Sequence, residues 1–240
     1  MTARLLAVDA VDVYIEASHI LRRVSLEVGR DEVVCLVGRN GAGKTTTLRT
    51  IMGYLRPRSG RVELAGASIH GRRTHEIAML GVGFAPEDGG IFADLTVAEN
   101  IEIATWTRPT TRPATERIAQ AYDVFPALRG YRARGGAQLS GGERRMLSIA
   151  RTLALDPELL LLDEPFEGLA PAIIPSVAAS IAAIAGKLGR AILIAESNIH
   201  HVPEYARRLY VIERGEIVFA GPPGDARRDR TVARIIGSSA

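Results

Sequence analysis

The 240-residue sequence has a single cysteine, no internal repeat and no unbroken apolar run long enough to cross a membrane. One cysteine cannot form an intrachain disulfide, which excludes a disulfide-stapled scaffold and points to a reducing compartment. Cys35 itself lies in a short apolar run, where packing is its default role. The longest near-apolar stretch, Leu169 to Gly186, is interrupted by Pro171, Pro175, Ser176 and Ser180. Val177, Ile181, Ile184 and Leu188 recur there at helical spacing, so the stretch reads as the core-facing stripe of a helix. No apolar leader with a cleavage site opens the chain. Charge of one sign is also scarce, with 30 Lys and Arg against 27 Asp and Glu. Arg72-Arg73, Arg144-Arg145 and Arg227-Arg228 read as solvated faces, and the tail with Arg227, Arg228, Arg230 and Arg234 is the densest basic segment. No nucleic-acid partner is expected from so dilute a surplus. Hydrophobic content of 47% and charged content of 24% fit a globular chain of one large α/β domain or two small ones.

Residues 38–45 read Gly-Arg-Asn-Gly-Ala-Gly-Lys-Thr and match the spacing G-x-x-x-x-G-K-[ST]. Glycines let consecutive N–H groups of Asn40, Gly41, Ala42, Gly43 and Thr46 converge without Cβ clashes, and the helix that follows offers its positive end to phosphate. Lys44 supplies a mobile charge for the β- and γ-phosphates, and Thr45 a hydroxyl for Mg2+. Chance alone would place this pattern in on the order of 1 chain in 100 of this length. Its context removes that explanation. Val33-Val34-Cys35-Leu36-Val37 reads as a buried strand, and Thr46 to Met52 as a helix.

The first forty residues alternate as antiparallel strands, Leu5 to Tyr14 and Leu21 to Val28, followed by the strand into Gly38. A strand and turn at Arg61 to Gly66 and a strand at Gly81 to Pro86 come next. Helical periodicity takes over at Val97–Ala104 and Glu116–Val124, joined by a polar, Pro-containing connection from Thr105 to Pro113. Short apolar runs return at Leu159–Leu162, Ala191–Ile194 and Leu209–Ile212, with a tight turn at Arg214-Gly215-Glu216. Strand alternating with helix predicts a mostly parallel core sheet.

Two further motifs carry chemistry. Leu159 to Leu162 are followed by Asp163 and Glu164, two acids at the carboxyl end of an all-apolar strand, where ligands sit in open α/β sheets. Asp163 is placed to support Mg2+, and Glu164 to accept a proton from attacking water. Leu139-Ser140-Gly141-Gly142-Glu143 precedes a helix-compatible run from Arg144 to Leu155. Ser140 can cap that helix, while Gly141 and Gly142 leave N–H groups open to an anion. One nucleotide does not need two phosphate loops on one chain. A head-to-tail dimer does, with each nucleotide between the first loop of one subunit and the second loop of the other.

These three motifs, in this order, resemble the nucleotide-binding subunits of ATP-binding cassette (ABC) transporters over nearly the whole chain. The resemblance implies an α/β P-loop NTPase fold with an antiparallel β subdomain and an inserted helical subdomain. It implies one domain over residues 1–240, with 1–86 and 156–240 as the nucleotide-binding core and 87–155 as the helical signature subdomain. Tyr14, thirty residues before Lys44, matches the aromatic that stacks on adenine. ATP and Mg2+ are the implied ligands. Transmembrane permease subunits, a second ATPase subunit in a hetero- or homodimer and, indirectly, an external solute-binding protein are the implied partners. The implied location is peripheral, at the cytoplasmic face of the membrane.

Three positions depart from the family pattern. Glu87 stands where the loop linking the γ-phosphate site to the permease usually has Gln, and it can ligate Mg2+ or orient water. Ala170 stands where the dimer-interface loop commonly has Asp, and Ser197 where a γ-phosphate-sensing His is usual. His200 and His201 follow one turn later, within reach of that role or as surface residues. Together with Leu95 to Asn100, these departures resemble the ATPases of importers for branched-chain and hydrophobic amino acids, amides and urea. An exporter ATPase of the lipopolysaccharide type, a non-transport ABC ATPase and a regulatory ATP-binding module remain alternatives. The residues name neither the solute nor the direction of transport.

Overall fold

The computed structural model describes residues 4–226 and 228–236. Arg227 of the basic tail lies outside the described residues. In chain order the elements begin with strands β1 (Arg4–Ile15), β2 (Ser18–Gly29) and β3 (Val33–Val37), helix α1 (Lys44–Ile51), strands β4 (Ser59–Leu64) and β5 (Ala67–Ser68), helix α2 (Thr74–Met79) and strand β6 (Val82–Ala85). Helices α3 (Val97–Ala104), α4 (Ala114–Val124) and α5 (Gly141–Ala154) follow, then β7 (Leu159–Asp163), α6 (Ile174–Leu188), β8 (Ala191–Glu196), β9 (Arg208–Glu213), β10 (Glu216–Gly221), α7 (Pro223–Ala226) and α8 (Arg230–Ile236). They divide into two compact units, residues 1–77 with 191–240, and residues 78–190. Among the described residues no helix is long and apolar enough to cross a membrane.

The first unit holds an antiparallel sheet in the order β2-β1-β4-β5. Its inward phase survives two irregularities. Ala10 and Arg23 take positive φ, 47° and 48°, and the β1–β2 register shifts there. The extra residues let Val8 and Val11 face Leu26 and Val24, so both strands keep their apolar side buried. Gly60 opposes one irregularity, and a Cβ on it would lie 2.4 Å from Ala10 O.

Strand β3 does not continue the antiparallel run of β1 and β2. It pairs in parallel with β8 on one side and β9 on the other. All five of its residues are buried, and so are all six of β8, the pattern of a sheet covered on both faces rather than on one. Cys35 is among them, and burial pushes its thiol well above the usual range. Strands β9 and β10 form a hairpin whose two turn residues, Arg214 and Gly215, have φ of 49° and 83°. Positive φ at both centres is the turn that suits strand twist.

In the second unit β6 and β7 pair in parallel, from Val82 with Leu159 to Ala85 with Leu162. Helix α5 packs on α3 and α4, and its Leu147, Ile149 and Leu153 are buried. Both α3 and α5 start with reciprocal caps, Thr96 with Glu99 and Ser140 with Glu143. Helix α5 begins at Gly141, as the expected cap on Ser140 requires, and so takes the two glycines ahead of the Arg144–Leu155 run into its first turn. Helix α4 likewise begins two residues early, after Pro113, whose fixed φ suits the start of a helix. The buried Arg117 of α4 donates to Thr105 O at 2.9 Å and Ala154 O at 3.3 Å, tying the ends of α3 and α5 together.

Candidate functional site

The phosphate loop of the first unit is shaped by backbone demands that glycine alone meets. Gly43, the N-cap of α1, has φ of 115°, and Gly41 has φ of 79°. Gly38 has no room for a side chain, since a Cβ there would lie 2.3 Å from Ile212 O. Gly38 N donates to Glu196 O at 3.2 Å and Ala42 N to Arg39 O at 3.0 Å. Gly215 N in the β9–β10 turn donates to Ala42 O at 2.9 Å, bracing the loop from behind. No side chain caps α1 at Gly43, and the positive end of a helix is a ready site for an anion.

Lys44 is only 5% exposed, and its Nζ donates to Gly38 O at 2.8 Å and Arg39 O at 3.2 Å. The ammonium thus lies along the loop it belongs to. Thr45 and Thr46 are half-buried in the first turn of α1. Ser197, at the end of β8, donates from Oγ to Asn40 Oδ1 at 2.9 Å, which places it on the loop. The structure gives His201 a different partner, the buried Glu196, with Nδ1 3.2 Å from Oε2. His200 is exposed. Tyr14 is 37% exposed and already engaged. Its ring stacks on His19, with centroids 4.2 Å apart, and the Arg58 guanidinium lies 5.0 Å from its centroid.

The second unit carries the acids and the second loop. Asp163 ends β7, and both it and Glu164 are buried. Glu164 has φ of 49°, a conformation that a non-glycine residue keeps only where its surroundings hold it. The buried Arg145 donates from Nη1 to Asp163 O at 3.3 Å and to Pro86 O at 3.1 Å. One guanidinium therefore joins the acid strand to the loop of Glu87. Glu87 is exposed and lines a cavity of about 190 Å³ with Gly141, Arg145 and Gly168. Ser140 accepts from Glu143 N at 3.3 Å, and Glu143 Oε2 accepts from Ser140 N at 2.7 Å. The Ser140 hydrogen bonds hold the Glu143 carboxyl below its usual range. Ser140 and Gly141 are exposed and Gly142 half-buried, so the start of α5 is a surface that a partner can meet.

Thr45 in the first unit carries a hydroxyl and Asp163 in the second a carboxylate, each by itself an oxygen donor of the kind that Mg2+ takes. Three contributing residues were not legible in the sequence. Arg145 passed as a solvated charge, Gly215 as a simple turn residue and Arg39 as a variable position of the loop. A buried arginine beside Ser140-Gly141-Gly142 carries no local signal, because its acceptors lie far away in sequence.

The ABC transporter family model matches residues 21–167. A probable branched-chain amino acid transport ATP-binding protein, LivF, of Archaeoglobus fulgidus is 35% identical over 203 residues, 85% of this chain and 86% of that one. The lipopolysaccharide export system ATP-binding protein LptB of Haemophilus influenzae is 34% identical over 222 residues, 92% of this chain and 91% of that one. A crystal structure of an ABC transporter's ATP-binding cassette in its ADP conformation superposes with a TM-score of 0.85 at 24% identity, covering 99% of this chain and 100% of that one.

Proposed function

The chain belongs to the ABC transporter family as an ATP-hydrolysing subunit, and from that premise we propose that it energises import of branched-chain or related amino acids or amides through a separate permease. The observation that carries the import reading is the likeness to amino acid transport subunits, LivF and also the high-affinity BraG of Pseudomonas aeruginosa at 35% identity over 89% of this chain. Glu87, Ala170 and Ser197 support it, because that branch resembles this chain at the three positions where the wider family differs.

Cassettes of this family generally dimerise and engage transmembrane permease subunits. In the proposed mechanism the N–H groups of residues 40–46 and the Lys44 ammonium hold the triphosphate, Lys44 exchanging its carbonyl contacts for phosphate oxygens. Thr45 and Asp163 would hold Mg2+, which when bound neutralises charge on the β- and γ-phosphates. Glu164 accepts the proton of the attacking water. Glu87 and Ser197 orient groups around the γ-phosphate, Ser197 through Asn40. Tyr14 stacks on adenine. Ser140, Gly141 and Gly142 contact the nucleotide of the second subunit, so ATP closes the dimer and hydrolysis reopens it. The subunit would sit peripherally at the cytoplasmic face, with an external solute-binding protein supplying the permease.

A second reading, export of lipopolysaccharide, is favoured by the likeness to LptB. Glu87 and Ser197 weigh against it, since such exporters resemble the wider family in having Gln and His there. Deleting the gene and measuring uptake of labelled leucine and a small amide separates the two. Import predicts lost uptake with normal lipopolysaccharide, and intact uptake with failed lipopolysaccharide export transfers the assignment.

A further inference from the structure

Arg39 lies inside the phosphate loop, yet its side chain is committed elsewhere in the same unit. Nε donates to Ile235 O at 2.6 Å and Nη2 to Arg234 O at 3.2 Å. Those carbonyls belong to the last turn of α8, where a helix has acceptors without internal donors and a negative dipole end. The guanidinium thus caps the C-terminal helix. At its other end α8 is capped by Asp229, whose Oδ1 accepts from Val232 N at 3.0 Å and whose carbonyl accepts from Ala233 N at 2.9 Å. Val232 and Ile235 are buried, so the helix is anchored by packing as well.

The backbone of Arg39 is equally engaged. Its carbonyl accepts from Ala42 N at 3.0 Å and from Lys44 Nζ at 3.2 Å. One residue therefore holds the turn of the loop with its backbone and the end of α8 with its side chain. The two are separated by about 195 positions in sequence.

We propose that Arg39 is a positioning residue that couples the phosphate loop to the C-terminal helix, so that docking of α8 sets how tightly the chain holds nucleotide. The proposal rests on the reading of residues 38–45 as the phosphate site. A docked α8 fixes the Arg39 backbone, and with it the carbonyl that Lys44 uses. An undocked α8 frees the loop and raises the ordering cost of binding. Linkage makes the effect reciprocal, so nucleotide must hold α8 in place by the same factor.

The test uses the full-length chain and a fluorescent ATP analogue with Mg2+. Arg39→Ala removes the cap, and Ala233→Pro breaks the Ala233 N–H bond inside α8. Each is expected to weaken binding about three- to tenfold, the scale of a lost charged hydrogen bond partly transmitted. KM for ATP rises while kcat stays within about twofold. The double variant is no weaker than either single one, because both break one coupling. Arg39→Lys restores most of the affinity. Nucleotide slows tryptic cleavage after Arg234 in the unmodified chain and not in Arg39→Ala. Lys44→Ala serves as the control for the phosphate site itself. Lost binding in that control with unchanged Arg39→Ala, or additive losses in the double variant, overturns the coupling alone. Unchanged binding in Lys44→Ala overturns the phosphate-site reading and this proposal with it.

Discussion

Ser197 Oγ donates to Asn40 Oδ1 at 2.9 Å, so the end of β8 is fastened to the phosphate loop by a neutral hydrogen bond. A hydroxyl in this position orients a neighbour, but it does not carry charge to a phosphate as an imidazolium would. Ser197→Ala therefore loses this neutral hydrogen bond, worth roughly 1 kcal/mol. Steady-state ATPase assays are expected to show kcat/KM reduced by about three- to tenfold. A loss near a thousandfold would assign Ser197 a direct chemical role.

Gly215 supports the same loop from the hairpin side. Its φ is 83°, and an added Cβ would lie 2.0 Å from Ile20 O. Gly215→Ala is expected to destabilise the chain by roughly 2–4 kcal/mol in denaturant unfolding, combining backbone strain with a clash. Gly66 has φ of 80° with open space around it, so Gly66→Ala is expected to cost only about 1 kcal/mol. Equal losses at the two positions would mean that the Ile20 contact relaxes freely.

Asp12 gives the β1–β2 sheet a pH dependence. Ser59 Oγ donates to its Oδ2 at 2.6 Å, His19 Nε2 lies 2.8 Å from Oδ1, and Arg23 N donates to Oδ1 at 3.2 Å. The Ser59 hydrogen bond first, then those of His19 and Arg23, hold its carboxyl below the usual range against an opposing effect of burial. The folded state binds the proton more weakly than the unfolded one. Its contribution is therefore present above the unfolded value of about 3.9 and lost as pH falls through the lower folded value. The Tm gap between the unmodified chain and Asp12→Asn is expected to be fully open above the unfolded carboxylate value of about 3.9 and to close as pH falls through the lower folded value. A gap that widens in acid would reverse the sign.

Much of this candidate site was legible in the sequence because the residues proposed for it lie close together in the chain. Gly38, Gly43, Lys44 and Thr45 lie within eight consecutive residues, and Asp163 and Glu164 follow an apolar run whose length and burial match expectation. The cap of Ser140 was equally readable, since Glu143 sits three residues on. What escaped depends on contacts that span the chain. Strand β3 was grouped with the antiparallel strands because it follows them in sequence, whereas its uniform burial assigns it to β8 and β9. Arg39, Arg145 and Gly215 are silent as residue types, and only their distant carbonyl partners give them a role. The contact of His201 with Glu196 is likewise one that the sequence alone does not show.

Glu164 is where the proposed mechanism is most exposed to test. Its carboxylate is buried and held at φ of 49°, and glutamine keeps its shape while removing its capacity to take a proton. The decisive measurement is ATP turnover by purified Glu164→Gln, paired with size-exclusion chromatography in ATP and Mg2+. Turnover is predicted to fall at least about a hundredfold while an ATP-dependent dimer accumulates. Turnover equal to that of the unmodified chain, with no dimer trapped by ATP, would contradict both Glu164 as the base and nucleotide shared between two subunits.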